Sequence, residues 1–127
     1  ITPTPGIQFV EDEGGWRRYH SLPAFVGSLQ RLQEMRFERC FPGHGEPFGR
    51  VAAVISSNLA AIAARDERAL AELRSGGPAS VYALGERMYP RALRRRFWQI
   101  MATVQGHLDS LAALEVVCEV GGEYRLA

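Results

Sequence analysis

The sequence predicts an α+β chain with a mainly helical C-terminal part, on three observations. Apolar residues recur at steps of three and four through most of residues 21–113. Glycine and proline cut that pattern into separate segments, and the last residues alternate apolar and polar on either side of a Gly-Gly pair. Several helices closed by one hairpin is the order of a winged-helix unit, reached from period and punctuation alone.

Residues 1–20 show no sustained period. Pro3, Pro5, Gly6, Gly14 and Gly15 surround the acidic run Glu11-Asp12-Glu13, and the stretch is expected to be a loop pinned to the body by Phe9, Trp16 and Tyr19. Ser21 before Leu22-Pro23 reads as a helix cap with proline in the first turn. Leu22, Phe25, Val26, Leu29, Leu32 and Met35 then form one apolar stripe, and a short strand is expected over Glu38 to Phe41. From Gly49 a longer helix carries Val51, Val54, Ile55, Leu59, Ile62, Leu70 and Leu73, and Gly76-Gly77-Pro78 ends it. Its Arg65, Asp66, Glu67 and Arg68 read as a solvated face. Ser80 caps a short helix that Pro90 stops. A further helix is predicted from Arg91 to Ala113, with Gly106 inside it marking close helix packing or a kink. Val116 to Val120 and Glu123 to Leu126 around Gly121-Gly122 give the hairpin.

Composition excludes little. The 127 residues carry a formal net charge of +1, and all 15 basic residues are arginine, so bulk charge does not argue for nucleic acid or an acidic membrane. No run approaches the roughly 18 apolar residues of a membrane span. Cys40 and Cys118 lie far apart among apolar residues and read as buried free thiols, from which a cytoplasmic location is expected. No serine or cysteine nucleophile with a neighbouring base emerges from the spacing. His107 is expected to be a packed or hydrogen-bonded structural histidine, and His20 to lie on the surface.

One stretch stands apart. In Phe41-Pro42-Gly43-His44-Gly45-Glu46-Pro47-Phe48 a lone histidine sits between two glycines, with prolines stiffening both ends. Glycine permits positive φ and a tight turn, so the loop presents the His44 imidazole outward with little freedom to wander. Together with Cys40 this stretch resembles the metallo-β-lactamase superfamily of hydrolases, in which a strand runs into a Pro-Gly-His-Gly loop. Ile1-Thr2-Pro3 resembles a segment following the aspartate-bearing motif in one branch of that family, and the chain after Gly49 resembles its winged-helix-like C-terminal domain.

The resemblance implies that residues 1–48 are the C-terminal part of an αββα sandwich and that 49–127 form a winged-helix-like domain. It implies a metal-dependent hydrolase holding two ions, zinc or another divalent metal, and acting on a thioester, lactone or other small-molecule ester. His44 would be the last metal ligand, with Glu46 a candidate hydrogen-bond partner for its other ring nitrogen. The family's His-x-His-x-Asp-His signature is absent from this sequence. A metal centre needs three or four protein ligands and His44 supplies one, so this chain alone is expected to be inactive and to hold no metal tightly. It reads as a piece of a longer enzyme.

The competing reading is a nucleic-acid module, with Arg91, Arg94, Arg95 and Arg96 at the start of the last helix, near Trp98, as the phosphate contacts. Near-neutral charge and Glu115, Glu119 and Glu123 beside the wing make nucleic acid the weaker reading. A third reading makes the tail a homodimerisation or active-site-capping element, which needs only an exposed apolar patch, and among the tail's roles capping or packing is favoured.

Overall fold

The computed structural model describes residues 6–127. In order the elements are β1 (Gln8–Asp12), β2 (Gly15–Tyr19), α1 (Ser21–Gln33), α2 (Val51–Gly76), α3 (Val81–Met88), α4 (Phe97–Ala113), β3 (Val117–Val120) and β4 (Glu123–Leu126). The segment Ile1-Thr2-Pro3 lies outside the described residues. The α+β class stands, with four helices and two separate two-stranded antiparallel sheets among the described residues.

Within the stretch expected to be a loop, residues 8–19 form a hairpin. Its strands pair from Gln8↔Tyr19 to Asp12↔Gly15. At the turn the Asp12 carboxylate accepts from the Gly14 amide at 2.9 Å, and Gly15 takes φ +97°, a left-handed conformation that favours glycine. Phe9 and Trp16 do not pin it, being 61% and 70% exposed. The anchor is ionic: Arg18 on β2 donates from both terminal nitrogens to Asp109 on α4, the Nη2–Oδ1 contact being 2.7 Å.

The helix α1 begins where the sequence places it, although His20 occupies the cap position and the Ser21 hydroxyl turns back to the Tyr19 carbonyl. Leu22 and Leu29 are buried, and Met35 lies beyond the helix end and is exposed. Leu22 sits against Gly106 on α4: a Cβ added to Gly106 would lie 3.2 Å from Leu22 Cβ. The expected close packing at that glycine is present.

The 26-residue α2 is the spine. Its N-terminal half gives Val51, Ile55 and Ile62 to a small core with Leu22 and Leu29. Its C-terminal half gives Ala69, Leu70 and Leu73 to a larger core with Leu84 and Met88 of α3, Val104, Leu108 and Leu111 of α4, and Val117 and Tyr124 of the C-terminal hairpin. The two cores meet within α2, between Ile62 and Ala69. Gly77, at φ +71°, closes the helix, and Arg87 donates to its carbonyl at 2.9 Å. Arg68 is not merely solvated: it bonds the Met88 carbonyl and lies over the Tyr89 ring, 5.2 Å from its centroid.

Ser80 caps α3 as the sequence requires, its hydroxyl accepting from the Ala83 amide at 3.2 Å. The last helix starts later than expected, at Phe97 rather than Arg91. Residues 90–96 instead form tight turns, with Leu93 N bonded to Tyr89 O and Arg96 N to Ala92 O. Arg91, Arg94, Arg95 and Arg96 would crowd four cations into a helix N-terminus, where the peptide dipoles already concentrate positive charge. Turning instead buries Leu93 and leaves the arginines outside.

The C-terminal hairpin forms with Gly121 and Gly122 both at positive φ. A backbone bridge joins Ala79, just before α3, to Tyr124 on β4. Cys118 is exposed and Cys40 half-buried, and both are free thiols. Inward-facing Val117 takes the core position on β3, so alternation points Cys118 to solvent.

Candidate functional site

Cys40 and Phe48 exchange both backbone hydrogen bonds, Cys40 N to Phe48 O at 2.8 Å and Phe48 N to Cys40 O at 3.0 Å. That single bridge replaces the strand expected over Glu38 to Phe41, because among the described residues no neighbouring strand extends it. The side chains of Cys40 and Phe48 pack on the small core, and everything between them is closed into a loop. Gly45 takes φ +90°, while Gly43 is not in the left-handed region. His44, the candidate metal ligand, is exposed on this loop, as is Glu46. Among the described residues no hydrogen bond joins the two.

An exposed imidazole on a loop held by a backbone bridge fits a contribution to a metal centre. It does not make one, since among the described residues no three His, Cys, Asp or Glu side chains come together to hold an ion. One imidazole is a fraction of the ligand set a catalytic or structural metal requires. No chemical step is therefore assigned to a metal on these residues alone.

Two polar clusters lie elsewhere, around α4. The first is Arg18–Asp109, with the Gln105 amide donating to Asp109 Oδ1 at 3.0 Å and to Tyr124 Oη at 2.9 Å. It ties the N-terminal hairpin, α4 and the C-terminal hairpin together. Its hydrogen bond to Asp109 holds the Arg18 guanidinium above its usual range, and burial raises the Tyr124 hydroxyl. The second is His107, 1% exposed, whose Nδ1 lies 2.7 Å from Asp66 Oδ1. His107 is thus a hydrogen-bonded structural histidine, and His20 is at the surface. Asp66, read from sequence as part of a solvated face, is half-buried, because its position on α2 turns toward α4.

Ser110 lies one turn beyond His107, so a serine, a histidine and an aspartate share one region. They do not form a nucleophile–base pair. Both His107 Nε2 and Ser110 Oγ are buried without a hydrogen-bond partner, and the link that activates a serine is missing. Spacing could not have revealed this group, since Asp66 stands 41 residues from His107.

The alternative nucleic-acid contacts, Arg91, Arg94 and Arg95, are exposed beside the aromatic group of Tyr82, Phe97 and Trp98. They sit on the turn before α4 rather than in the first turns of that helix, where the sequence places them.

The loop, the fold and the comparisons point to one class: the chain is similar to part of metallo-β-lactamase family proteins. It is similar to the probable metallo-hydrolase YqjP of Bacillus subtilis (strain 168), with 29% identity over 100 residues, covering 79% of this chain and 31% of that protein. It also superposes on the crystal structure of a metallo-β-lactamase family protein from Thermus thermophilus, with a TM-score of 0.68 and 26% identity over 85% of this chain and 34% of that one. The chain therefore spans about a third of the length of each relative. No protein-family model matches it.

Proposed function

We propose that this chain belongs to a longer metal-dependent hydrolase, to which it contributes His44 as one metal ligand and an accessory C-terminal domain. The observation that carries the reading is the bridged Pro-Gly-His-Gly loop with its exposed imidazole. The names of both relatives support metal-dependent hydrolysis as the class. Zinc as the metal, two ions per complete enzyme, and a thioester, lactone or other small ester as substrate are the finer parts of the proposal. The 127 residues alone are inactive in this reading, because one ligand does not make a centre.

A winged-helix-like domain over 49–127, following a sandwich remnant over 1–48, completes it. In its favour are the order of α2, α3, α4 and the β3–β4 hairpin, and the short backbone bridge from Ala79 to β4. We assign that domain to packing or capping rather than to nucleic acid, with homodimerisation the remaining alternative. No helix among the described residues is long and apolar enough to cross a membrane, and a cytoplasmic location is part of the same proposal.

Elemental analysis of the complete protein tests it. About two divalent ions per chain are expected in the complete protein, with at least one lost in His44→Ala. Full metal content in His44→Ala, at unchanged affinity, would remove His44 from the site.

A further inference from the structure

A cleft of about 470 Å³ opens between α1, α2 and α4, with none of residues 41–48 in its lining. Its walls are mostly apolar, formed by Val26 of α1, Leu59 and Ile62 of α2, and Ala113 and Leu114 near the end of α4, with the neutral amides Gln30 and Gln33 of α1 also in the lining. Within this lining Asp66 is the one ionisable side chain among the described residues. The volume falls within the range of small-molecule sites, which are mostly apolar with a few convergent polar groups.

Two observations point to a ligand of particular chemistry. Ser110 lines the cleft with its hydroxyl buried and without a hydrogen-bond partner, a state that buried polar groups seldom keep unless something else satisfies them. Asp66 also lines the cleft. It spends Oδ1 on His107 Nδ1, and among the described residues Oδ2 has no hydrogen bond. With its proton on Nδ1 the imidazole donates to Asp66 Oδ1 and leaves Oδ2 free to accept. A carboxylate acceptor and a hydroxyl that can accept as well as donate, set in a mostly apolar cleft, complement a donor-rich cation on an apolar body.

We propose that this cleft binds a small amphipathic amine, whose ammonium donates to Asp66 and Ser110 while its hydrocarbon part lies against Val26, Leu59 and Ile62. The site uses none of the residues of the His44 loop and stands whether or not that loop holds metal.

The test compares three near-isosteric probes, 4-phenylbutylamine, 4-phenylbutanol and 4-phenylbutyrate, by methyl-detected NMR titration of the 127-residue chain. The amine should bind saturably, shift Val26, Leu59 and Ile62, and bind at least about tenfold more tightly than the alcohol, with the carboxylate weakest. Ala63→Trp, which fills the cleft from the exposed side of α2, should weaken the amine by about tenfold or more. Ser110→Ala should weaken it several-fold, and Asp66→Asn should erase the preference of amine over alcohol. Equal binding of the three probes, amine binding unmoved by both Ala63→Trp and Ser110→Ala, or no saturable shift up to about 10 mM amine would each overturn the proposal.

Discussion

Two glycines inside helices separate intrinsic propensity from tertiary packing. Gly27 on α1 and Gly106 on α4 both sit in helix interiors, where alanine is intrinsically better by about 1 kcal/mol. A Cβ on Gly27 would meet only the Arg31 side-chain tip at 3.7 Å, an ordinary contact. A Cβ on Gly106 would meet Leu22 Cβ at 3.2 Å and Cδ2 at 3.5 Å. Leu22 is 1% exposed and its Cβ is fixed to the backbone of α1, so relief requires α1 to move rather than a side-chain tip. Overpacking of that kind costs about 1–3 kcal/mol. Gly27→Ala should therefore stabilise the chain by up to about 1 kcal/mol, near 3–5 °C in Tm for a chain of this size. Gly106→Ala should be neutral or destabilising by up to about 2 kcal/mol, the overpacking offsetting the same propensity gain. Urea unfolding followed by circular dichroism, with the m-value held as a check on the unfolded state, measures both. If Gly106→Ala stabilises as much as Gly27→Ala, the α1–α4 contact does not constrain the fold as described.

Three further outcomes follow from named contacts. Ser80→Ala removes the one side-chain cap of α3 and should cost about 1 kcal/mol by urea unfolding, with Ser80→Asp close to wild type. Arg18→Ala strands the Asp109 carboxylate, 5% exposed, with only Gln105 as partner, and should cost about 2–3 kcal/mol while β1–β2 amides lose exchange protection. Burial holds the Tyr124 hydroxyl above its ordinary value, so its stabilising contribution is complete below about pH 10 and is lost as pH rises through the higher folded value. Stability measured from about pH 9 to 11 should fall in wild type, and less steeply in Tyr124→Phe.

Much of the fold is legible in the sequence because it is local. The three-and-four spacing locates α1 and α2, Ser80 locates the start of α3, and Gly121-Gly122 locates the last hairpin. Gly106 announces a close approach. What is not legible depends on distant partners. The N-terminal hairpin is held by Arg18 and Asp109, 91 residues apart, and the strand pattern of residues 8–19 is too polar to declare itself. The Asp-Glu-Gly-Gly turn is the available signal. Periodicity misplaces the start of α4 because it ignores the electrostatic cost of four arginines at a helix N-terminus. The strand expected before His44 shrinks to one bridge, because a strand exists only with a neighbour to pair. In the site, His44 can be found from its glycines and prolines, whereas the meeting of Asp66, His107 and Ser110 cannot, since it arises from the crossing of α2 and α4.

The central claim is that His44 is a metal ligand in the complete protein. Anomalous diffraction at the zinc edge, on crystals of the zinc-loaded complete protein, tests it most directly. The account predicts a metal peak about 2.0–2.1 Å from a ring nitrogen of His44, with the Cys40–Phe48 bridge intact. A fully occupied metal centre with the His44 imidazole turned to solvent would contradict it.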